Sequence, residues 1–234
     1  MTTANERSSN RKIALLLPPI ARTIRWAPQV ASGPIAFWIV YAGVHAKAPA
    51  GHVHLPMAGL TLCAAAGFLL DDDAAATVGC APTPLAARRA IRIALGMPLV
   101  WAICGTLAWY AAALTTAAAI EFAGTLALTL ALAAICADVI GEERAGVFAP
   151  PALFTLLGAS AFVSARWRPV PVLPVGSTWF DLYGRWVIVL IVSVAVFLVA
   201  SADPARRPPA RKAISLVIAW PRRIMAELTP GHVA

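Results

Sequence analysis

The chain has 234 residues, of which 60% are hydrophobic and 13% are charged, and its formal net charge is +8. A water-soluble domain of this size does not need so much apolar surface, so the composition excludes a soluble enzyme and indicates an integral membrane protein. The positive charge is typical of the cytoplasmic loops of membrane proteins, and we expect no nucleic-acid partner.

Residues 1–25 are the predicted cytoplasmic N-terminus. From Arg11 to Arg25, basic side chains are mixed with leucines and isoleucines, and Pro18 and Pro19 interrupt the segment. This composition predicts an amphipathic connecting helix that lies on the inner membrane surface. A plain cytoplasmic lead-in to the first span fits the same residues, so two interpretations are open.

Six apolar stretches have the length that a membrane-spanning helix requires. Short polar or charged segments separate them, and a basic cytoplasmic tail is predicted for residues 203–234. The predicted spans within the transmembrane domain (residues 26–202) are residues 26–46, 53–70, 93–114, 117–140, 146–165 and 186–201.

Lysine and arginine are distributed unevenly between the segments that flank these spans. Of the 19 such residues, 15 lie on the side that holds both termini and 4 lie on the other side. Because cytoplasmic loops carry the excess of positive charge, the bias predicts six transmembrane helices with N-in/C-in topology. We expect a multi-pass protein of a bacterial inner (cytoplasmic) membrane.

A charged segment separates the second and third predicted spans. Each charge would cost about 2.5–3.5 kcal/mol at the centre of a membrane helix, so we predict a folded loop at the membrane surface. Asp71–Asp73 favour a helix start, and Thr83 with Pro84 favours the start of a second helix. This loop either docks a soluble partner or is a solvated loop that only fixes the topology. The arginines on one face of the second helix are Arg88, Arg89 and Arg92.

The fourth predicted span carries Glu121 near its outer end and Asp138 near its inner end. An ionisable group in an apolar helix can line a polar cavity, and Glu121 is our candidate for that role. Its side chain can also extend to the outer membrane interface, which is the alternative interpretation. Residues 141–144 then form a second short charged loop on the inner side.

The connection between the fifth and sixth predicted spans contains three prolines, which exclude one continuous helix. Thr178 and Asp181 fit a capping pair that opens a short external helix. The aromatic residues around it suit the outer headgroup zone. The segment is either an external gate or an ordinary interfacial loop. The candidate gate residues are Trp179, Phe180, Asp181 and Tyr183.

The chain contains no GxxxxGK[ST], HExxH, GxSxG or CxxC pattern, so we predict no catalytic residues and no nucleotide site. His45, His52 and His54 cluster around the first external loop and have the chemistry to bind copper, zinc or haem. No carboxylate or cysteine lies nearby in sequence to complete such a site. We predict no metal or cofactor in this chain, and a membrane redox protein is kept as an alternative.

Taken together, these features resemble the membrane subunit of a type V ABC exporter, the ABC-2 permease family. That family has six spans, both termini inside, a connecting helix before the first span and a coupling helix between the second and third. It also has a second cytoplasmic contact between the fourth and fifth spans, and short external helices between the fifth and sixth. Each feature has a counterpart here in the same order.

The coupling loop is the most specific match to the family. The Glu-Arg-Gly that usually precedes its threonine is replaced here by three aspartates and alanines. The residues that the resemblance assigns to ATPase coupling are Asp71, Asp72, Asp73, Thr77, Pro82, Pro84, Arg88, Arg89, Glu142, Glu143 and Arg144.

The resemblance implies the permease subunit of an ATP-driven exporter for an amphipathic substrate such as a drug, lipid, glycolipid or antimicrobial peptide. Two copies of an ABC ATPase subunit, which holds ATP and Mg²⁺, are the implied partners. A second membrane subunit, expected to be another copy of this chain, would complete the assembly in the lipid bilayer. A non-ABC immunity or accessory membrane protein is the other alternative.

Overall fold

A computed structural model of the chain describes residues 18, 20–46, 54–72, 85–112, 115–140, 144–167 and 179–202. Side chains are described throughout these ranges except at residues 117, 160–167 and 179–183. The described residues form six long α-helices, and a 3-10 helix at Gly67–Leu70 continues the second. The helices are α1 (Trp26–His45), α2 (His54–Ala66), α3 (Leu85–Tyr110), α4 (Thr116–Ile140), α5 (Ala145–Trp167) and α6 (Trp179–Ser201).

The all-α prediction is confirmed for the described residues, and each helix overlaps one predicted span. Two helices begin earlier than predicted. α3 begins at Leu85, so the predicted basic helix and the third span are one continuous helix of 26 residues. α6 begins at Trp179, so the predicted short external helix is joined to the sixth span. No proline separates these neighbouring segments, and nothing therefore ends the helix between them.

The predicted helix start at Asp71–Asp73 lies at the edge of the described residues. Asp71 has an extended backbone (ψ 131°) and follows the 3-10 helix, and Asp73 lies outside the described ranges. The carboxylates of Asp71 and Asp72 are bonded to parts of the chain that are distant in sequence. Of the predicted connecting helix, residues 20–23 form a helical turn and most of the remainder lies outside the described residues.

Three helical segments are long and apolar enough to cross a membrane: Leu85–Tyr110, Ala118–Ile140 and Gly184–Ser201. Two shorter apolar helical segments are His54–Leu70 and Ala145–Ala159. This composition is compatible with a membrane protein.

The surface of the bundle is apolar. Trp38, Trp109 and Ile191 are 67%, 74% and 62% exposed, and many valines, leucines and isoleucines of α5 and α6 are exposed with them. Soluble monomers rarely show so large an apolar surface. Charged side chains, in contrast, are buried between the helices. This inside-out distribution suits a lipid environment.

The helix α2 lies at the centre of the bundle and packs against α1, α3, α4 and α5. The most extensive contact joins α4 and α6. Because α2 is short and rich in alanine, neighbouring helices approach it closely. Its buried residues Leu62 and Cys63 belong to the main hydrophobic core, together with residues of α1, α3 and α4.

One end of the bundle, which we call the base, collects five helix ends. α1, α3 and α5 begin there, and α2 and α6 end there. Hydrogen bonds between residues near these termini show that the five ends lie together. Beyond the middle of α1, the Phe37 ring lies 5.7 Å from the ring of Tyr110, which ends α3 away from the base. The helices therefore run alternately up and down.

Glycines permit close packing around the 3-10 helix. A Cβ on Gly146 of α5 would lie 2.6 Å from Phe68 Cα, and a Cβ on Gly96 of α3 would collide with the Leu69 side chain. The main chain of α5 can approach the end of α2 only because Gly146 has no side chain.

Gly146→Ala should lower the free energy of unfolding by about 1–3 kcal/mol, as overpacking does. Gly158→Ala is the control on the same helix, because a Cβ there meets nothing within 4 Å. That variant should be neutral or more stable by up to about 1 kcal/mol, since alanine favours helix. Unfolding titrations in detergent measure both values, and an equal effect at the two positions would contradict the close packing at Gly146.

Candidate functional site

Charged side chains from three separate parts of the sequence meet at the base. They come from the residue before α1, from the segment after the 3-10 helix, and from the first two turns of α3. Asp71 is 0% exposed, and Arg89 and Arg92 are 3% and 4% exposed, so these groups lie inside the protein. We call this group the Asp–Arg cluster, and its members are Arg25, Asp71, Asp72, Arg88, Arg89 and Arg92.

Asp71 joins the start of α1 to the start of α5. Its Oδ2 accepts a hydrogen bond of 3.2 Å from Arg25 Nη1, and its Oδ1 accepts one from the backbone N–H of Gly146. Gly146 is the second residue of α5, where N–H groups have no partner within the helix. Asp71 therefore caps α5 from 75 residues away in sequence, and its charge suits the positive end of the helix dipole.

Arg92 joins α3 to both aspartates and to the turn before α1. Its Nη2 lies 2.6 Å from Asp72 Oδ1 and donates to Thr23 Oγ1 at 2.9 Å. Its Nη1 donates to the backbone carbonyl of Asp71 at 2.6 Å. Arg88, one turn earlier on the same helix face, reaches Asp72 Oδ2 at 3.4 Å. Two arginines of α3 thus hold the segment that follows α2.

Arg89 connects α3 to the end of α6. Its Nη1 donates to the carbonyl of Ala200 at 3.0 Å and reaches Ser201 Oγ at 3.4 Å. The last carbonyls of a helix lack donors within it, and a cation there is favoured by the helix dipole. Arg89 therefore stabilises the C-terminus of α6.

These contacts hold five helix ends as one unit. Hydrogen bonds between charged partners are stronger than neutral ones, and the low dielectric of the interior strengthens them further. Removal of one partner leaves an uncompensated charge in the interior, which is costly. The base should therefore move as a single body.

Two further segments are attached to this body. Residues 73–84 connect Asp72 to the start of α3, where Arg88 and Arg89 are bonded. Residues 141–143 return to it at α5, where Gly146 is bonded to Asp71. Both segments are therefore connected to the same buried group.

The coupling residues predicted from the sequence fall in different places. Asp71, Asp72, Arg88 and Arg89 come together in the cluster, and Arg144 is exposed just before α5. Asp71, Asp72 and Arg89 are buried within the chain. The interpretation as a solvated loop is therefore wrong for these three side chains. The predicted coupling residues outside the described part of the chain are Asp73, Thr77, Pro82, Pro84, Glu142 and Glu143.

Sequence reasoning missed several members of the site. Arg25, Thr23 and Gly146 were not singled out, although each bonds to the cluster. Arg25 and Asp71 are 46 residues apart in sequence, so no local pattern connects them. One indication of a site was present in the sequence. The predicted inner ends of the spans carry more aspartates and arginines than are needed to set the membrane topology.

The other predicted sites lie away from the base. Trp179, Phe180, Asp181 and Tyr183 are in the first turns of α6, and their side chains are not among those described. Glu121 is half-buried near the start of α4, and its backbone carbonyl accepts a hydrogen bond of 2.8 Å from Thr125 Oγ1. The structure does not bring Glu121 into the cluster.

The histidines described lie at the end opposite to the base. The His45 and Tyr41 rings are tilted by 30° with centroids 3.9 Å apart, and His45 Nδ1 lies 2.9 Å from the Tyr41 carbonyl. The His54 ring packs against Gly43. Within the described ranges, no three histidine, cysteine or acidic side chains are grouped as metal ligands would be. His52 lies outside these ranges.

Comparisons with protein-family models, with curated proteins and with solved structures found no match to this chain. Its function is therefore argued from the geometry of the base and from the sequence patterns.

Proposed function

We propose that this chain is the transmembrane permease subunit of an ATP-driven exporter in a bacterial inner membrane. In this proposal it spans the membrane six times, with both termini and the base on the cytoplasmic side. The up-and-down order of the helices supports an even number of crossings, because α1 begins and α6 ends at the base. The excess of inner lysine and arginine supports the orientation.

The Asp–Arg cluster is the observation that carries the proposal. Residues 73–84 and 141–143 are the two segments that a cytoplasmic ATPase would contact, and both are attached to this cluster. A transport subunit without its own nucleotide site needs such an element, because force from its partner must reach several helices together. A loop that only fixed topology would need no buried bonds to four other helix ends.

The proposed mechanism follows from these bonds. Closure of two ATPase subunits on ATP and Mg²⁺ displaces residues 73–84, and Arg88 and Arg92 transmit the displacement to α3. Asp71 passes it to α5, and Arg89 passes it to α6. The base then shifts as one rigid body, and the path between two membrane subunits opens.

The substrate class follows from the chemistry of the helices. Their described surfaces are mainly apolar, with Glu121 as an ionisable group within α4. An amphipathic molecule suits such surfaces better than an inorganic ion does. In the proposal Glu121 lines the cavity, and Trp179, Phe180, Asp181 and Tyr183 form the external gate. A second copy of this chain would provide the other half of the path.

Site-specific photo-cross-linking tests the proposal. The tagged chain, with a photoreactive residue at Ala87 or Arg144, is purified in mild detergent from its native membranes. Both positions are exposed at the base, whereas Thr116 is exposed at the opposite end and is the matched control. We expect a P-loop ATPase to co-purify and to cross-link from positions 87 and 144 but not from position 116.

Two results would overturn the exporter proposal. One is the absence of an ATPase from preparations that remain monodisperse and helical. The other is equal cross-linking from positions 87 and 116, which would indicate adhesion without docking. Metal or haem in the preparation that His54→Ala removes would favour the redox alternative instead.

A further inference from the structure

Prolines lie inside three helices a short distance above the base, and those of α5 are Pro150 and Pro151. Pro34 lies in α1, nine residues after Arg25, and Pro98 lies in α3, six residues after Arg92. At 1.5 Å per residue, these positions are roughly 9–14 Å from the cluster. A proline inside a helix donates no backbone hydrogen bond, and its ring clashes with the carbonyl of the preceding turn. Helices therefore bend most easily at a proline.

The helices α1 and α3 are in contact beside Pro34. Gly33, directly before Pro34, would place a Cβ 3.6 Å from Ile103 Cδ1 of α3. Gly96 precedes Pro98 by two residues and packs against Leu69. Glycine beside proline lowers the steric cost of bending further. The proline position of α1 therefore lies against α3, within about two turns of Pro98.

The segments above and below these points are each held together. Below them, Arg25 and Arg92 are both bonded to Asp71. Above them, Phe37 of α1 and Tyr110 of α3 are in ring contact at 5.7 Å. In contrast, α4 and α6 contain no proline and form the most extensive helix pair.

We propose that the outer halves of α1 and α3 form one hinged arm, which bends at Pro34 and Pro98 over a base fixed by the Asp–Arg cluster. The arm moves against α4 and α6, which stay straight. A bend of about 20° over the 11 residues from Pro34 to His45 moves the outer end of α1 by roughly 5 Å. This inference goes beyond the proposed function, because it requires no ATPase and concerns the outer half of the bundle.

Pulsed electron-spin distance measurements on the chain alone in lipid nanodiscs test the arm. The four native cysteines are replaced by alanine before the label sites are introduced, and labelled chains are diluted with unlabelled ones. One label pair is at Val44 on the outer end of α1 and Ala119 at the outer end of α4, both exposed. The reference pair is at Ala27 and Ile135, which are exposed below the prolines. We expect a broad or two-peaked distribution for the outer pair and a single narrow peak for the reference pair.

Pro34→Ala with Pro98→Ala restores two backbone donors and should narrow the outer distribution to the width of the reference pair. Pro56→Ala is the matched control, because Pro56 lies in the first turn of α2, where an N–H has no helical acceptor. It should leave both distributions unchanged. A narrow outer distribution in the unchanged chain, or no response to the double substitution, would overturn the hinge. Failure of ATPase capture would not affect this result, so the two proposals fail separately.

Discussion

Replacing Asp71 by alanine is expected to lower the free energy of unfolding by about 3–5 kcal/mol, the range for removing one partner from a buried ion pair. Asp71 is fully buried and bonds to Arg25, to Gly146 and, through its carbonyl, to Arg92. The alanine variant keeps only the carbonyl contact. Arg25 then loses its carboxylate and the first turn of α5 loses its cap, so both changes destabilise the base.

Asp71→Asn separates these two contributions. An asparagine side chain keeps a carbonyl oxygen that can accept from the Gly146 N–H, but it has no charge for Arg25. We expect it to recover about 1 kcal/mol of the loss, the usual value of a helix cap. Asp138→Ala is the control, because Asp138 is a half-buried aspartate of α4 and should cost less. Denaturant titrations in one detergent give all three values.

Hydrogen exchange shows where the Asp71 variants lose structure. If Asp71 caps α5, the amides in the first turn of α5 should exchange faster in the alanine variant, while those in the middle of α4 keep their protection. A uniform loss of protection in the Asp71→Ala variant would show that Asp71 does not connect the base.

Helix positions were largely predictable, because apolar stretches and the charged segments between them are local features of the sequence. The fourth span was predicted at 117–140, and α4 occupies Thr116–Ile140. A short helix after Thr178 was predicted, but its continuation into the sixth span was missed, because aromatic residues at a membrane interface suit a loop and a helix equally well. Continuation of a helix through such residues depends on tertiary contacts that the sequence does not display.

The chemistry at the base was only half predictable. The cost of a charge in lipid predicts that Asp71, Asp72 and the arginines of α3 lie away from lipid, but that argument treats water as the only alternative to lipid. The structure uses a third option, in which opposite charges satisfy one another between helices. The choice of Arg25 and Gly146 as partners depends on how α1 and α5 pack, which no spacing in the sequence specifies.

Replacing Arg92 by methionine should destabilise the protein far more than the same change at Arg88. Methionine keeps much of the volume and the apolar stem but removes the guanidinium. Arg92 is bonded to Asp72, Thr23 and the Asp71 carbonyl at 2.6–2.9 Å, whereas Arg88 has one longer contact of 3.4 Å with Asp72. We expect a loss of about 3–5 kcal/mol at Arg92 and about 1 kcal/mol or less at Arg88.

Double-mutant cycles measure which of the two arginines interacts more strongly with Asp72. Asp72→Asn is combined with Arg92→Met and, separately, with Arg88→Met, and the free energies of unfolding are compared. Because Asp72 Oδ1 lies 2.6 Å from Arg92 Nη2, the first pair should be strongly coupled, by about 1–3 kcal/mol. The second pair should be nearly additive. Equal coupling in the two cycles would mean that the arginines act as one diffuse positive charge. The base would then be held by net electrostatic attraction, and Arg92 would have no individual role in joining α3 to the segment that follows α2.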